Sequence, residues 1–398
     1  MAERTITILG ATGSVGRQAC DVAEQTGIKV KMLCAGRNAA AMAELARKFC
    51  PEVCIMEDEN AVAELRASLS DMDVKVYGGE EALLSCLRTE PADVTIHSIA
   101  GLAGMNSAFA AAETPTRIGM ANKEAIIAAG PVIRDLMKKS GCTMIPVDSE
   151  HSAIFQCLTT EGEPALFESD PRVSRIILTA SGGPFFGMKR AELDAVTPER
   201  ALAHPTWKMG PKITIDCATL MNKGFEVIEA ARFYGVPSEK IDVVIHRQSI
   251  IHSMVEYIDN TVIAQMGIPD MRSAVRYAVN YPERLEAPAD RLDFAKIGSL
   301  TFHEPDTETF PLLDAARSAL TRGGTAPAAL IAADEEAVQA FIEGRLSFCG
   351  ISDAVCSVME KISVSYDITP ESLAYTDEIA RKKAADVIEK MASVSNKL

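Results

Sequence analysis

Apolar positions along the first 150 residues predict buried strands that alternate with amphipathic helices. The run from Thr5 to Leu9 is β-branched and apolar, and a helical repeat follows it from Ser14 to Thr26. Similar strand-like runs, mostly with helical segments between them, occupy residues 29–35, 53–56, 74–77, 94–99, 117–120 and 143–147. This alternation is typical of a parallel sheet with helices on both faces. We therefore expect residues 1–150 to form an α/β domain.

The pattern changes after this region. Strand-like runs at residues 176–183, 213–216 and 243–254 are mixed with helical segments at residues 198–203 and 223–234. This mixture predicts a central α+β domain over residues 151–285.

The last part of the chain reads differently again. Residues 286–311 have weak periodicity and read as a linker. The pattern after the linker is helical at residues 312–320, 327–346, 352–362 and 370–391, where Thr369 and Pro370 form a helix-start signal. We expect a C-terminal helical bundle over residues 312–398.

Composition indicates a folded chain and limits the classes of partner that the chain is expected to bind. The 398 residues are 47% hydrophobic and 24% charged, which is ordinary for a globular protein. A net charge of −15 argues against nucleic acid or an anionic membrane as a partner. No apolar stretch has the length of a signal core or a membrane span. The ten cysteines are scattered without a CxxC pair, which indicates reduced thiols and a cytoplasmic protein.

A glycine-rich turn joins the first strand to the first helix. Glycines at positions 10, 13 and 16 allow a tight turn, a close approach to a pyrophosphate and close helix packing. A plain glycine turn is the alternative, but the flanking strand and helix favour a dinucleotide site in a Rossmann-type sheet. After the second strand stands Arg37, which favours the 2′-phosphate of NADP unless it is simply a solvated arginine.

Two carboxylates follow the last strand of this domain. Asp148 and Glu150 would point the same way if the chain were extended there. Carboxylate oxygens suit Mg²⁺ or Mn²⁺ better than zinc, although two solvated acids are the common alternative.

Further along the chain, two segments are candidate anion sites. Asn222 and Lys223 stand at a predicted helix start and would cradle a phosphate, unless they are only a polar cap. Ser181 and its two following glycines form a second candidate anion site. The only tryptophan, Trp207, lies between a proline and a glycine in a segment that is either core or a mobile lid near residues 204–210.

Taken together, these motifs resemble one family, 1-deoxy-D-xylulose 5-phosphate reductoisomerase. The resemblance runs in order from residue 6 to about residue 275. Its motifs are the glycine turn, Ala121-Asn-Lys-Glu124, Val147-Asp-Ser-Glu-His151, Ser181-Gly-Gly-Pro-Phe185, His204-Pro-Thr-Trp-Lys-Met-Gly210, Cys217-Ala-Thr-Leu-Met-Asn-Lys-Gly224, Gln248-Ser-Ile-Ile-His252 and Gly267-Ile-Pro-Asp-Met-Arg272.

The resemblance implies an NADPH- and divalent-metal-dependent enzyme that isomerises and reduces 1-deoxy-D-xylulose 5-phosphate to 2-C-methyl-D-erythritol 4-phosphate, in non-mevalonate isoprenoid biosynthesis. It also implies a homodimer. The implied metal ligands are Asp148, Glu150 and Glu226, with Glu229 one helical turn further on as a supporting residue. These three ligands and Lys123 are the implied catalytic residues.

The resemblance also assigns residues to the two organic ligands. The implied substrate-binding residues are Lys123, Ser149, Glu150, Ser181, His204, Trp207, Met209, Cys217, Asn222, Lys223 and Glu226. The implied NADPH-binding residues are Gly10, Thr12, Gly13, Ser14, Val15, Gly36, Arg37, Asn38, Ala100, Asn122, Glu124 and Gly210.

One position departs from the family pattern. A serine is expected immediately before the Ala-Thr-Leu-Met-Asn-Lys run, where this chain has Cys217. A thiol is a weaker donor and a larger atom than a hydroxyl, so we expect looser phosphate binding there.

Two other function classes fit part of the sequence. A semialdehyde or homoserine dehydrogenase would share the first domain but gives no reason for three carboxylates together with an Asn-Lys helix start. A semialdehyde enzyme would also need a nucleophilic cysteine, for which Cys217 is the one candidate near the predicted site. An NADP-binding sensor would bind the cofactor without turnover.

Overall fold

The computed structural model describes residues 4–203, 209–287 and 290–395. The strands are β1 (Thr5–Leu9), β2 (Lys29–Ala35), β3 (Val53–Met56), β4 (Lys75–Gly78), β5 (Val94–His97), β6 (Arg117–Met120), β7 (Thr143–Pro146), β8 (Val173–Ala180), β9 (Ile241–Ile245), β10 (Ile251–Tyr257) and β11 (Val262–Met266). The helices are α1 (Ser14–Thr26), α2 (Ala39–Phe49), α3 (Glu59–Ser68), α4 (Gly79–Thr89), α5 (Met105–Ala112), α6 (Lys123–Ser140), α7 (Ser149–Leu158), α8 (Arg190–Leu193), α9 (Pro198–Ala201), α10 (Pro211–Ala218), α11 (Met221–Tyr234), α12 (Met271–Asn280), α13 (Phe294–Ile297), α14 (Leu312–Arg322), α15 (Ala326–Ile342), α16 (Phe348–Lys361) and α17 (Pro370–Ser395).

The chain forms two compact units. The first comprises residues 1–125, 131–152 and 270–289, and the second comprises residues 126–130, 153–269 and 290–398.

The first unit is built on a seven-stranded parallel sheet. Its strand order is β4-β3-β2-β1-β5-β6-β7. The predicted strand–helix alternation over residues 1–150 is therefore confirmed. The strand order reverses between β1 and β5, and parallel sheets of this kind bind ligands beyond the carboxyl ends of the strands at such a point. Helix α1 buries Gly16, Ala19, Cys20, Val22 and Ala23, a spacing that gives it one apolar face.

The second unit combines a four-stranded sheet with helices. The strand order is β11-β10-β8-β9, in which β8 and β9 run parallel and the other pairs run antiparallel. The predicted helical C-terminal region is confirmed as α14 to α17. Thr369 accepts a hydrogen bond from the Ser372 amide at 3.1 Å, as expected of a residue that caps α17.

Two local expectations were wrong. Residues 213–216, expected in a strand, lie in α10, because Gly210 is extended at the N-cap, Pro211 occupies the first helical turn and Ile215 and Ala218 are buried three residues apart. The strand-like run 243–254 is interrupted between β9 and β10, where Ser249 has a φ of 50°.

Two findings concern cysteines and membranes. All ten cysteines are free thiols. In the described ranges, none of the helices is both long enough and apolar enough to cross a membrane.

Candidate active site

The glycine turn has a shape that requires glycine at two positions. Gly10 has a φ of 79°, and a Cβ there would lie 2.6 Å from the carbonyl oxygen of Ser98. A Cβ on Gly16 would lie 2.1 Å from the carbonyl oxygen of Gly10. Gly13 is the N-cap of α1 and has no side chain to occupy the first amides of the helix. The turn therefore brings α1 close to β1 and presents a helix N-terminus suited to a pyrophosphate.

The end of β2 carries the residues predicted to select NADP. Arg37 and Asn38 are exposed there, next to Gly36. The side-chain oxygen of Asn38 accepts a hydrogen bond from the Ala41 amide at 3.0 Å and so caps α2. Asn38 thus shapes the loop, whereas the Arg37 side chain is exposed to solvent.

Asn122 braces the loop that follows β5. Its side-chain nitrogen donates to the carbonyl oxygens of Ile99 and Gly101, the second at 2.9 Å, and its oxygen accepts from the Ala125 amide at 2.6 Å. Because these bonds occupy the buried amide, Asn122 holds the loop containing the exposed Ala100. Glu124 is half-buried in the first turn of α6.

The acidic pair after β7 lies at a helix start. The chain is helical there and not extended, since Ser149 and Glu150 are the first residues of α7. The carboxylate oxygens of Asp148 and Glu150 nevertheless lie within 4.8 Å of one another. The Ser149 hydroxyl donates to Glu150 at 2.5 Å. The helix start therefore turns both acids toward one point, as a cation site requires.

A buried lysine accompanies this pair. The ammonium nitrogen of Lys123, at the start of α6, lies 2.7 Å from a carboxylate oxygen of Asp148. Burial acts to raise the pKa of Asp148, but the charges of Lys123 and His151, together with side-chain hydrogen bonds, hold that pKa well below its usual range. Asp148 is therefore ionised and available as a ligand at neutral pH.

In the second unit, three residues of α11 form a buried ionic cluster. The Asn222 side-chain amide and the Lys223 ammonium both donate to the Glu226 carboxylate. All three residues are buried, and Glu229 is buried one turn further along the helix. Asn222 and Lys223 thus act as a donor pair for an anion, here the Glu226 carboxylate.

The Ser181 segment is a tight turn packed against α10. Gly182 and Gly183 have φ values of 75° and 64°, and the Gly183 amide donates to the Ser181 hydroxyl at 3.3 Å. A Cβ on Gly183 would lie 2.7 Å from the carbonyl oxygen of Cys217. The two segments predicted to bind phosphate, around Ser181 and Cys217, are therefore neighbours.

Sequence analysis missed one residue at this turn. Arg247, in the connection between β9 and β10, donates from Nη1 to the carbonyl oxygens of Ser181 and Gly183, each at 2.6 Å. No motif signalled this contact, because it joins residues that are more than 60 positions apart in the chain.

Only the end of the predicted lid lies within the described residues. His204 and Trp207 lie outside them. Met209 is half-buried, and Gly210 is exposed at the N-cap of α10.

Comparisons with known proteins match nearly the whole chain. The family model for 1-deoxy-D-xylulose 5-phosphate reductoisomerase matches residues 6–130, the model for its C-terminal domain matches residues 144–234, and a model described as DXP reductoisomerase C-terminal domain matches residues 266–383. The 1-deoxy-D-xylulose 5-phosphate reductoisomerase of Caulobacter vibrioides is 44% identical over 393 residues, with 97% of this chain and 96% of the relative covered. That of Phocaeicola vulgatus is 43% identical over 388 residues, with 97% and 99% covered.

Solved structures of the same enzyme also match. The Zymomonas mobilis enzyme in complex with NADPH superposes with a TM-score of 0.89 at 38% identity, covering 97% of this chain and 99% of that one. A DOX-P reductoisomerase in complex with NADPH, fosmidomycin and magnesium superposes with a TM-score of 0.89 at 32% identity, covering 98% and 99%.

Proposed function

The chain belongs to the 1-deoxy-D-xylulose 5-phosphate reductoisomerase family, and from that membership we propose how its own residues perform the reaction. The reaction is the NADPH- and divalent-metal-dependent isomerisation and reduction of 1-deoxy-D-xylulose 5-phosphate to 2-C-methyl-D-erythritol 4-phosphate. Family membership excludes the two alternative functions considered from the sequence, a semialdehyde or homoserine dehydrogenase and an NADP-binding sensor.

The observation that carries the residue assignment is the half-buried acidic pair of Asp148 and Glu150, with Lys123 beside Asp148. Together with Glu226 these acids offer only carboxylate oxygens, the donor chemistry that Mg²⁺ and Mn²⁺ prefer. We assign the cation to Asp148, Glu150 and Glu226, with Glu229 as a supporting residue. The solved relative that contains magnesium supports the choice of ion.

The bound ligands supply the reactive chemistry, and the protein supplies charge and position. NADPH provides the hydride, and a divalent cation stabilises negative charge that develops on substrate oxygens during the retro-aldol and aldol route. Lys123 adds a second positive charge at the same place, already fixed by its ion pair with Asp148. Ser149 and His204 are proposed to contact the sugar oxygens.

We assign the substrate phosphate to Ser181, Asn222 and Lys223, with Cys217 beside them. The support is the donor geometry of Asn222 and Lys223 toward a carboxylate and the packing of the Ser181 turn against Cys217. The phosphate does not react, so its binding energy can hold the reactive end of the substrate in place. Trp207 and Met209 are proposed to cover the substrate.

The first unit is proposed to hold NADPH. The pyrophosphate would lie at the start of α1, and Arg37 would face the 2′-phosphate. The other proposed contacts are Gly10, Thr12, Gly13, Ser14, Val15, Gly36, Asn38, Ala100, Asn122, Glu124 and Gly210.

Assembly, location and domain limits complete the proposal. We propose a homodimer, because β11 is an edge strand on which Val262 is 46% exposed and the nearby Ile258 is 69% exposed.

We propose a cytoplasmic location because all ten thiols are free. The boundaries at residues 150, 285 and 311 stay predictions that limited proteolysis would test.

The test of the proposed function uses the purified protein with 1-deoxy-D-xylulose 5-phosphate, NADPH and Mg²⁺ or Mn²⁺. NADPH oxidation at 340 nm should require all three additions and should stop when a chelator is present. Oxidation that continues in the presence of the chelator, or none with all components present, would contradict it.

A further inference from the structure

Arg247 joins the β9–β10 connection to the Ser181 turn. Its Nη1 donates to the carbonyl oxygens of Ser181 and Gly183, each at 2.6 Å. Both are charge-assisted hydrogen bonds, which are shorter and stronger than bonds between neutral groups. One guanidinium nitrogen therefore fixes two peptide groups of a three-residue turn.

These bonds determine which way the turn presents its donors. In a trans peptide the carbonyl oxygen and the following N–H point in opposite directions. Because the Ser181 carbonyl faces Arg247, the Gly182 N–H faces away from the guanidinium. The Gly183 N–H donates to the Ser181 hydroxyl at 3.3 Å. The Gly182 N–H, a backbone donor for an anion, thus lies on the side of the turn opposite the arginine.

The two glycines of the turn make its conformation depend on contacts with neighbouring segments. Gly182 and Gly183 both have left-handed φ values, and glycine loses more conformational freedom on ordering than any other residue. On another side, Gly183 packs so closely against Cys217 that no Cβ would fit. The turn is therefore held between α10 and Arg247.

The arginine itself is anchored. Its guanidinium carbon lies 5.2 Å from the centre of the Phe186 ring, and that ring is 5.2 Å from the His303 ring. Burial lowers the pKa of Arg247, but an arginine stays charged in proteins. Lysine would be a poor replacement for a planar cation that stacks on a ring and bonds two carbonyl groups.

We propose that Arg247 is a positioning residue for the substrate phosphate: it sets the Ser181–Gly183 turn in the conformation that receives the anion. This inference rests on the proposed assignment of the phosphate to Ser181, Asn222 and Lys223. It adds Arg247, which would act on the phosphate indirectly by positioning the turn.

The test compares variants by the KM for 1-deoxy-D-xylulose 5-phosphate and by the Ki of inorganic phosphate as a competitor. Arg247→Gln should raise both constants about tenfold, a loss of about 1.4 kcal/mol, with kcat and the KM for NADPH changed less than twofold. Arg247→Lys should restore part of the loss. Arg175→Gln is the matched control, because Arg175 lies on β8 in the same sheet and bonds Glu256 and Asp242 instead of the turn. It should leave both constants unchanged.

A double-mutant cycle asks whether Arg247 acts through the turn. Ser181→Ala and Arg247→Gln together should raise the KM for 1-deoxy-D-xylulose 5-phosphate by less than the product of the two single effects. Both substitutions disturb the same Ser181–Gly183 turn, so their effects are not independent. A double variant whose KM rises by the full product of the single effects would overturn the inference. So would an Arg247→Gln protein that melts earlier but keeps both constants unchanged. If Arg247→Gln does not fold, an Arg247→Lys protein with wild-type constants overturns the inference, and one with raised constants supports it.

Lys223→Gln separates this inference from the proposed function beneath it. If Lys223→Gln raises both constants and Arg247→Gln raises neither, only the role of Arg247 is overturned. If a folded Lys223→Gln protein leaves both constants unchanged, the phosphate assignment itself is wrong and the inference is overturned with it.

Discussion

The Lys123 ammonium lies 2.7 Å from the Asp148 carboxylate, and both side chains are almost fully buried. Lys123 follows β6 and Asp148 follows β7, so neighbouring parallel strands bring the pair together at their carboxyl ends. A buried carboxylate that is both ionised and held in place is ready to bind a cation.

Lys123→Gln should lower kcat by about a hundredfold, since a fixed charge of this kind contributes about 3 kcal/mol to transition-state stabilisation. It should also lower the free energy of unfolding, because it leaves Asp148 as a buried charge without its cation. Steady-state kinetics and urea unfolding measure the two effects. Lys139→Gln, in the last turn of the same helix, is the control and should change neither. A Lys123→Gln enzyme with normal kcat would remove Lys123 from the mechanism.

Arg37→Ala should raise the KM for NADPH about tenfold, with the KM for NADH and kcat nearly unchanged, because only NADPH carries the 2′-phosphate. Lys48→Ala, on α2 with a surface ion pair to Glu24, serves as the control for a lost surface charge. Equal effects on NADPH and NADH would show that Arg37 does not read the 2′-phosphate.

Cys217→Ser should keep activity and lower the KM for the sugar phosphate, because a hydroxyl is a smaller and stronger donor than a thiol. Kinetics at saturating NADPH measure the change. An unchanged or raised KM would count against the proposed place of Cys217 beside the phosphate.

Asp216 provides a prediction about pH and stability. Its carboxylate and that of Asp334 lie 2.6 Å and 2.8 Å from the Lys212 ammonium, and both acids are buried. Burial, followed by the charge of Asp334, raises the pKa of Asp216 well above its usual range. The unfolded chain ionises first as pH rises from about 4, so Asp216 costs stability progressively until the folded-state pKa is passed.

Asp216→Asn should therefore be increasingly stable relative to the wild type as pH rises from 4 to 8, as measured by urea midpoints. Asp306→Asn is a control of opposite sign, since hydrogen bonds from Lys189 and Thr309 lower the pKa of Asp306 to about 2. The stability that Asp306 provides is present above about pH 4 and disappears as pH falls toward 2, so its variant should differ most at neutral pH. A stability difference for Asp216→Asn that does not depend on pH would contradict the shifted pKa.

The sequence predicted features that depend on local spacing. The glycine turn, the parallel strands and the C-terminal helices each have a period or a turn signal that neighbouring residues determine. The structure differs where local signals conflict: α10 has β-branched residues typical of a strand, but Pro211 and burial three residues apart make it a helix. Arg247 was missed because its partners meet it only through the pairing of β8 with β9 and β10.

The assignment of Glu226 as a metal ligand, with Glu229 as a supporting residue, is tested most directly by Mn²⁺ binding. Electron paramagnetic resonance of free Mn²⁺ should give one site per chain in the wild type. Glu226→Gln should weaken binding at least about tenfold, a loss of about 1.4 kcal/mol, while Glu229→Gln should change it less than threefold. Normal binding by Glu226→Gln together with a large loss in Glu229→Gln would contradict the proposed ligand set.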